Sequence, residues 1–208
     1  MTKINVVDYW PFWKTPGKLR RFDYTAVDGS MPPLTVVFAY DKGTDSMLYI
    51  DYDSHLEWKD TWYIKYDPIN GVMEWRDDYP GKKVVMSPGI GWGNVEEIGG
   101  SYINYPKMSP FQSWPPAISK GVQCVSYEIL LPNYRLSNGK KYDDVLVMTY
   151  LQSWSGKPGG GARYWMAKGI GPIAVQWIAQ NITNPYNSPL IQTAVMDAVV
   201  TDIEPQIS

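Results

Sequence analysis

The sequence is short of the residues from which most recognisable active sites are built. Its 208 residues include one Cys and one His. That excludes a disulfide framework, a multi-cysteine zinc site, a cluster of histidine ligands and a Cys-His pair backed by spare histidines. An excess of charge of either sign is also missing: 19 Lys and Arg stand against 21 Asp and Glu, for a formal net charge of -2. The longest basic runs, Arg20-Arg21 and Lys82-Lys83, are too short to form an electrostatic footprint for nucleic acid. No stretch approaches the roughly 18 consecutive apolar residues that span a bilayer as a helix. The opening residues, Met1 to Asp8, carry no apolar signal-peptide core. The expectations are no nucleic-acid partner, no membrane span and no cofactor, in a protein found outside the cell or within a particle.

What the sequence does have is glycine, proline and aromatics with polar tips. The 18 Gly and 17 Pro are scattered, and they cut the chain into short runs of Val, Ile, Tyr, Trp and Thr, the pattern of β-strands. Residues 34–40 and 47–52 flank the turn Asp41-Lys42-Gly43-Thr44. Residues 62–66 and 72–76 flank Asp67-Pro68-Ile69-Asn70-Gly71, where Asn-Gly supplies the positive φ of a tight turn. Residues 122–130 and 144–150 pair across Ser137-Asn138-Gly139-Lys140, and 163–167 leads through Gly169 and Gly171 into 173–178. Between 80 and 118, six prolines and Gly89-Ile90-Gly91-Trp92-Gly93 predict a long loop region. Residues 189–198, behind Ser188 and beginning with Pro189, form the helix candidate, with Leu190, Ala194 and Ala198 repeating every four positions. Their β-branched content keeps strand as the rival. The predicted fold class is mainly β: one domain over 1–208, a curved antiparallel sheet or half-barrel with long Pro/Gly-rich loops and one short C-terminal helix.

Few constellations point to chemistry. If residues 50–58 form a strand, alternation puts Asp51, Asp53, His55 and Glu57 on one face. Such a set can ligate a cation, but a solvated carboxylate face explains it equally, so no metal is assigned. Paired carboxyls for glycoside hydrolysis have too many candidates, among them Asp51, Asp53, Glu57, Glu74, Asp77, Asp78, Glu96, Glu97, Asp143 and Asp144. Cys124 lies in an alternating strand, and nothing in the sequence brings His55 to it as a base. Gly159-Gly160-Gly161 lacks the Lys-Ser/Thr of a phosphate loop. Asn181-Ile182-Thr183 matches a glycosylation acceptor, a tripeptide common by chance. No catalytic residue is assigned.

The aromatics carry the functional expectation. Ten Trp and sixteen Tyr outnumber four Phe, so most rings combine an apolar face with a polar tip. Trp62, Tyr66, Trp165 and Trp177 fall in strand patterns and are expected in the core. The segment Tyr9-Trp10-Pro11-Phe12-Trp13 and the loop aromatics are expected towards the surface. Trp92, Trp114 and Trp154, with Tyr102 and Tyr105, are the candidate ligand-contacting residues. Flat rings of this kind stack on sugars and also serve as protein hot spots. The expected function is non-enzymatic binding of a glycan or another surface, by a monomer, a homo-oligomer or a larger assembly. The alternatives are a carrier of an apolar ligand in a half-barrel, a structural subunit of a virion or other assembly, and a glycoside hydrolase using paired carboxylates.

Both ends of the chain add a resemblance. Asp8-Tyr9-Trp10-Pro11 followed by Gly17 and Tyr24 resembles the opening of bacterial extracytoplasmic β domains. Tyr164-Trp165-Met166-Ala167-Lys168-Gly169-Ile170-Gly171-Pro172 resembles their closing strand, and Asp143-Asp144-Val145-Leu146 the strand before it. The resemblance, over about a fifth of the chain, implies an open half-barrel of the lipoprotein-carrier-like type. Cys124 is internal and no lipobox cysteine stands near the start. No catalytic residues come with the resemblance.

Overall fold

The computed structural model describes residues 2–52, 55–56, 58–75, 78–79, 82–83, 90–108, 119–154, 157–179 and 191–205. Strand β1 (Lys3–Asn5) and a 3-10 turn (Val6–Tyr9) precede a meander of β2 (Leu19–Ala26), β3 (Leu34–Asp41), β4 (Ser46–Tyr52), β5 (Trp58–Asp67) and β6 (Gly71–Trp75). Six short strands follow: β7 (Asp78–Tyr79), β8 (Lys82–Lys83), β9 (Ile90–Gly91), β10 (Val95–Glu97), β11 (Ser101–Asn104) and β12 (Lys107–Met108). A second meander comprises β13 (Ser119–Arg135), β14 (Lys141–Trp154), β15 (Lys157–Ala167) and β16 (Gly171–Ala179). Strands β17 (Ile191–Gln192) and β18 (Met196–Ile203) end it.

One sheet takes fourteen of these strands, in the order β11-β13-β14-β15-β16-β18-β2-β3-β4-β5-β6-β9, with β12 on β13 and β17 on β16. Its ladders are antiparallel. The two meanders meet in the middle, where β18 pairs with β2 over eight positions from Met196↔Ala26 to Ile203↔Leu19. The sheet curves until its far ends approach. The Tyr127 hydroxyl on β13 donates to the Trp92 carbonyl just beyond β9 at 2.5 Å. A Cβ on Gly91 of β9 would stand 2.9 Å from the Tyr102 hydroxyl of β11. Among the described residues no ladder joins β9 to β11, so the curve is not closed into a barrel.

Alternation explains the core. Phe22, Tyr24 and Ala26 on β2, Val36 and Phe38 on β3, Leu146 and Met148 on β14, and Met196 and Ala198 on β18 are all buried. They share the concave face, as period-2 patterning requires. A smaller outer cluster of Leu136, Tyr142, Val145, Ala167, Ile173 and Ala174 packs on the other face.

The expected hairpins form around turns whose chemistry is local. The Asp41 carboxylate accepts the Thr44 hydroxyl at 2.6 Å and the N–H groups of Gly43 and Thr44, both at 3.1 Å. Asp67 accepts those of Ile69 at 2.7 Å and Asn70 at 2.8 Å. These hydrogen bonds hold both carboxyls below the usual range. Two expectations need correction. Residues 191–192 and 196–203 are strands, not the short C-terminal helix. A four-residue repeat is also an even number, so Ala194 and Ala198 fit period 2 as well as a helix turn, and pairing along β2 decides the outcome. Residues 188–190 lie outside the described chain. The stretch from 80 to 118 is also not wholly loop, since β8 to β12 fall within it.

Arg20 ties the central junction. Its guanidinium donates to both Asp202 carboxylate oxygens at 2.5 and 2.8 Å and to the carbonyls of Gly169 and Ile170 at 2.8 and 2.9 Å. It also lies 5.5 Å from the Trp13 ring centroid. One buried cation thus links β2, β18 and the β15–β16 turn. Hydrogen bonding from Arg20 holds the Asp202 carboxyl below its usual range despite partial desolvation. The stability from this shift is present above the unfolded-state value of about 4 and is lost as pH falls through the lower folded value. Arg20→Met is expected to cost about 2 kcal/mol at pH 7 by denaturant unfolding. This is less than the 3–5 kcal/mol of a fully buried pair, because the Asp202 side chain is 42% exposed. The difference between the two proteins should narrow below about pH 4; a difference independent of pH would contradict the assignment.

Gly71 ends the Asn-Gly turn at φ +80°, and a Cβ there would stand 1.9 Å from the Gly93 carbonyl oxygen. Gly71→Ala should therefore cost about 2 kcal/mol or more, read as a fall in the denaturation midpoint.

Candidate functional site

The concave face holds a chamber of about 230 Å³. Its walls come from facing strands: Tyr49 and Asp51 on β4, Trp62 on β5, Tyr150 and Gln152 on β14, Tyr164 and Met166 on β15, and Pro172 and Trp177 on β16. Trp10 and Trp92, from outside the strands, complete the lining. Register explains the space. Tyr49 faces Trp62 across β4–β5, whereas Tyr150 and Trp177 each face Ala162, and Gln152 faces Gly160. Small residues between large ones leave room that a uniform row of rings would fill.

Trp92 is the hub of the aromatic wall. Its ring centroid lies 5.1 Å from Trp10, 5.1 Å from Tyr150 and 6.0 Å from Tyr164, at interplanar angles of 54°, 81° and 68°. Tyr150 and Tyr164 are nearly parallel, 16° apart at 6.0 Å. Tilted and offset rings are the arrangements aromatic quadrupoles favour. Two buried phenols brace this wall from behind. Tyr127 holds the Trp92 carbonyl, and Tyr24 donates to the Pro172 carbonyl at 2.5 Å. Burial drives both hydroxyls well above the ordinary tyrosine range, with a further upward push on Tyr24 from Asp51 and on Tyr127 from Glu96. Both remain protonated donors across the physiological range.

The chamber's polar groups are fewer and less well satisfied. The indole Nε1 of Trp10 and the amide Oε1 of Gln152 are buried and have no hydrogen-bond partner among the described residues. Gln123 sits directly opposite Gln152 on β13, on the same face. It is 0% exposed and not among the chamber's lining residues, and neither its Oε1 nor its Nε2 has a partner among the described residues. Such groups cost free energy in a folded protein unless something pairs them.

This centre differs from the expected one. Trp92 is 3% exposed and is a wall of the chamber, not a surface contact, because the curvature of the sheet folds its segment inward beneath Tyr127. Tyr9 and Trp10 are likewise buried rather than at the surface. Tyr102 is half-buried against the core, and burial with the nearby Glu96 raises its hydroxyl. Tyr105 is 63% exposed. The backbone of Trp154 pairs with Gly121 at the end of β14, its side chain lies outside the described atoms, and Trp114 lies outside the described residues. Of Trp92, Tyr102 and Tyr105, whose side chains are described, the chamber takes Trp92 alone. Trp62 and Trp177, expected as core, line it instead, and Gln152, Tyr49, Tyr150 and Tyr164 were not singled out by sequence. The available signal was the i, i+2 spacing of Tyr49 with Asp51 and of Tyr150 with Gln152.

Of the expected carboxylate face only Asp51 and His55 are described, and the strand that carries Asp51 does not reach His55. Strand β4 ends at Tyr52, and Leu56 adopts φ +60°. His55 is exposed, and Asp53 and Glu57 lie outside the described residues. Among the described residues no group of three or more His, Cys, Asp or Glu could hold a metal ion. Cys124 is half-buried on the outer face, opposite Ile103 and Leu151. No helix of the described residues is long and apolar enough to cross a membrane. No family model, curated protein or solved structure matches the chain.

The brace on Trp92 can be tested alone. Tyr127→Phe leaves a buried carbonyl without its donor and should cost about 1–2 kcal/mol. The near-ultraviolet circular dichroism of the clustered indoles should weaken in parallel; unchanged stability and spectrum would show that the hydroxyl carries no such role.

Proposed function

We propose that this protein is a non-enzymatic binding protein that holds a small ligand in the concave chamber. One observation carries the proposal: an aromatic-walled space on the inner face of a curved sheet whose lining includes a buried donor and a buried acceptor without partners. Ligand sites are typically concave and apolar with a few convergent polar groups. At about 230 Å³ the space falls below the roughly 300–1,000 Å³ of drug-sized pockets. It corresponds to on the order of seven or eight waters at about 30 Å³ each, which suits one small ring rather than a long acyl chain. This moves the expected aromatic recognition from exposed loops into the sheet. It is closer to the half-barrel carrier alternative, although polar groups temper the apolar character of the chamber. The lipoprotein-carrier-like resemblance of the end segments, an extracellular or particle setting, and assembly with other copies are proposed on the sequence alone.

Sugar hydrolysis is the second reading, favoured by one register: Asp51 and Asp60 are paired directly across β4 and β5. Two carboxyls are the minimum equipment for that chemistry. Turnover of aryl glycosides, lost in Asp51→Asn, would replace the binding proposal.

Binding can be followed through intrinsic tryptophan fluorescence with a panel of neutral sugars, sugar acids, alkylammonium ions and short aliphatic alcohols. At least one class should give a saturable change, weakened roughly 3–10-fold in Trp62→Ala by loss of ring contact and unaltered in Tyr105→Ala. No response from any class, or a response that only Tyr105→Ala removes, would refute a chamber site.

A further inference from the structure

We infer that the chamber's ligand is a neutral, hydroxyl-bearing ring, a saccharide unit, and that Trp10 and Gln152, with Gln123 beside the latter on β13, set that preference. The inference rests on the chamber being the binding site. It follows from which polar atoms lack partners. Trp10 Nε1 and Gln123 Nε2 are donors, while Gln152 Oε1 and Gln123 Oε1 are acceptors. Gln123 is not among the residues lining the chamber, so a ligand there meets Trp10 Nε1 and Gln152 Oε1 directly and must offer both functions within a short span.

Each class of ligand can be held against that requirement. A primary ammonium donates only and leaves the indole N–H unpaired, while a quaternary ammonium neither donates nor accepts and pairs neither group. A carboxylate or phosphate accepts only, and among the described residues no Lys or Arg lines the chamber to offset its charge, whereas the Asp51 carboxyl is present. An aliphatic chain pairs neither kind along its length, and the single hydroxyl of an alcohol serves only the groups within reach of that one atom. A hydroxyl brings one donor and two acceptor lone pairs. Several hydroxyls on one ring therefore match a set that combines a donor on the Trp10 segment with an acceptor on β14.

The walls suit the remainder of such a molecule. The nearly parallel Tyr150 and Tyr164 and the tilted Trp92 present flat apolar surfaces to the C–H faces of a ring, while the hydroxyls at its rim meet the polar atoms. Gln123 extends the polar row. It lies opposite Gln152 on one side and Asn104 on the other, so three amides run across β11, β13 and β14 on the concave face. Adjacent positions in such a row bring their Cβ atoms to about 4.5–5.5 Å, close enough for neighbouring amides to share one ligand or one bridging water.

The experiment uses the full chain and four kinds of probe: D-glucose, D-galactose, D-mannose and N-acetylglucosamine as neutral sugars, glucuronate as an anion, tetramethylammonium as a cation and 1-hexanol as an aliphatic. Titration calorimetry gives the affinity and a thermal melt reports folding. A neutral sugar should bind saturably and more tightly than glucuronate, tetramethylammonium or hexanol. Gln152→Leu should weaken it about fivefold or more, and Gln123→Met, which removes the amide beside Gln152 and outside the lining, should weaken it less. The melting temperature of each unliganded variant should hold or rise, because each substitution removes an unpaired buried amide. Trp10→Phe, which removes a donor and keeps a ring, provides a third variant if either glutamine substitution fails to fold. Tetramethylammonium or hexanol binding, sensitive to Trp62→Ala, in the absence of sugar binding would overturn the saccharide assignment and leave the chamber site standing. Sugar binding indifferent to all three polar variants would also overturn it. Silence from every probe would count against chamber and saccharide together.

Discussion

The pairing of β18 with β2 is the interaction on which the rest of the molecule depends. Each meander can form from local turns, but neither alone has a concave face opposite another wall. Eight consecutive register pairs between the first and last long strands fuse them into a single sheet, and Arg20 fixes the join by occupying Asp202 and two turn carbonyls at once. Once joined, the right-handed twist of so many strands carries β9 and β11 towards each other. The aromatic chamber is a consequence of that curvature. Tyr49 and Trp62 come from one meander and Tyr150, Gln152 and Tyr164 from the other, so the site exists only after the long-range pairing is made.

The site itself combines stability with unfinished bonding. Its rings pack on one another and its braces, Tyr24 and Tyr127, are satisfied and buried. Its indole and amide groups are not satisfied. A fold selected only for stability would replace Gln123 and Gln152 by apolar residues of similar volume, because an unpaired buried amide opposes folding. Their presence in an otherwise well-packed inner face is the kind of local inconsistency that accompanies a functional site.

Much of the fold was legible and rather less of the site. Period-2 patterning and turn residues such as Asp67, Asn70 and Gly71 marked the hairpins because those signals act over a few residues. The helix expectation at 189–198 failed because a spacing of four satisfies both periods, and the decision lay with β2, more than 160 residues away in the chain. Trp92 misled for a related reason: a Gly/Pro-rich setting suggests a surface loop, whereas its position is set by Tyr127 reaching from the far edge of the sheet. Trp62 and Trp177 are inward-facing, as expected, but for Trp177 the difference between a core ring and a chamber wall depends on Ala162, not a larger residue, standing opposite. Strand order, which sequence patterning does not encode, made that difference.

The account's central claim is that the unpaired polar atoms of the chamber exist to meet a ligand. The indole N–H resonance of Trp10 reports on this most directly, followed in ¹⁵N-labelled protein as the tightest-binding neutral sugar is added. A saturable downfield shift and slowed solvent exchange of that proton are predicted, as it gains a hydroxyl acceptor. A resonance that stays in place while the sugar binds elsewhere on the molecule would contradict the account.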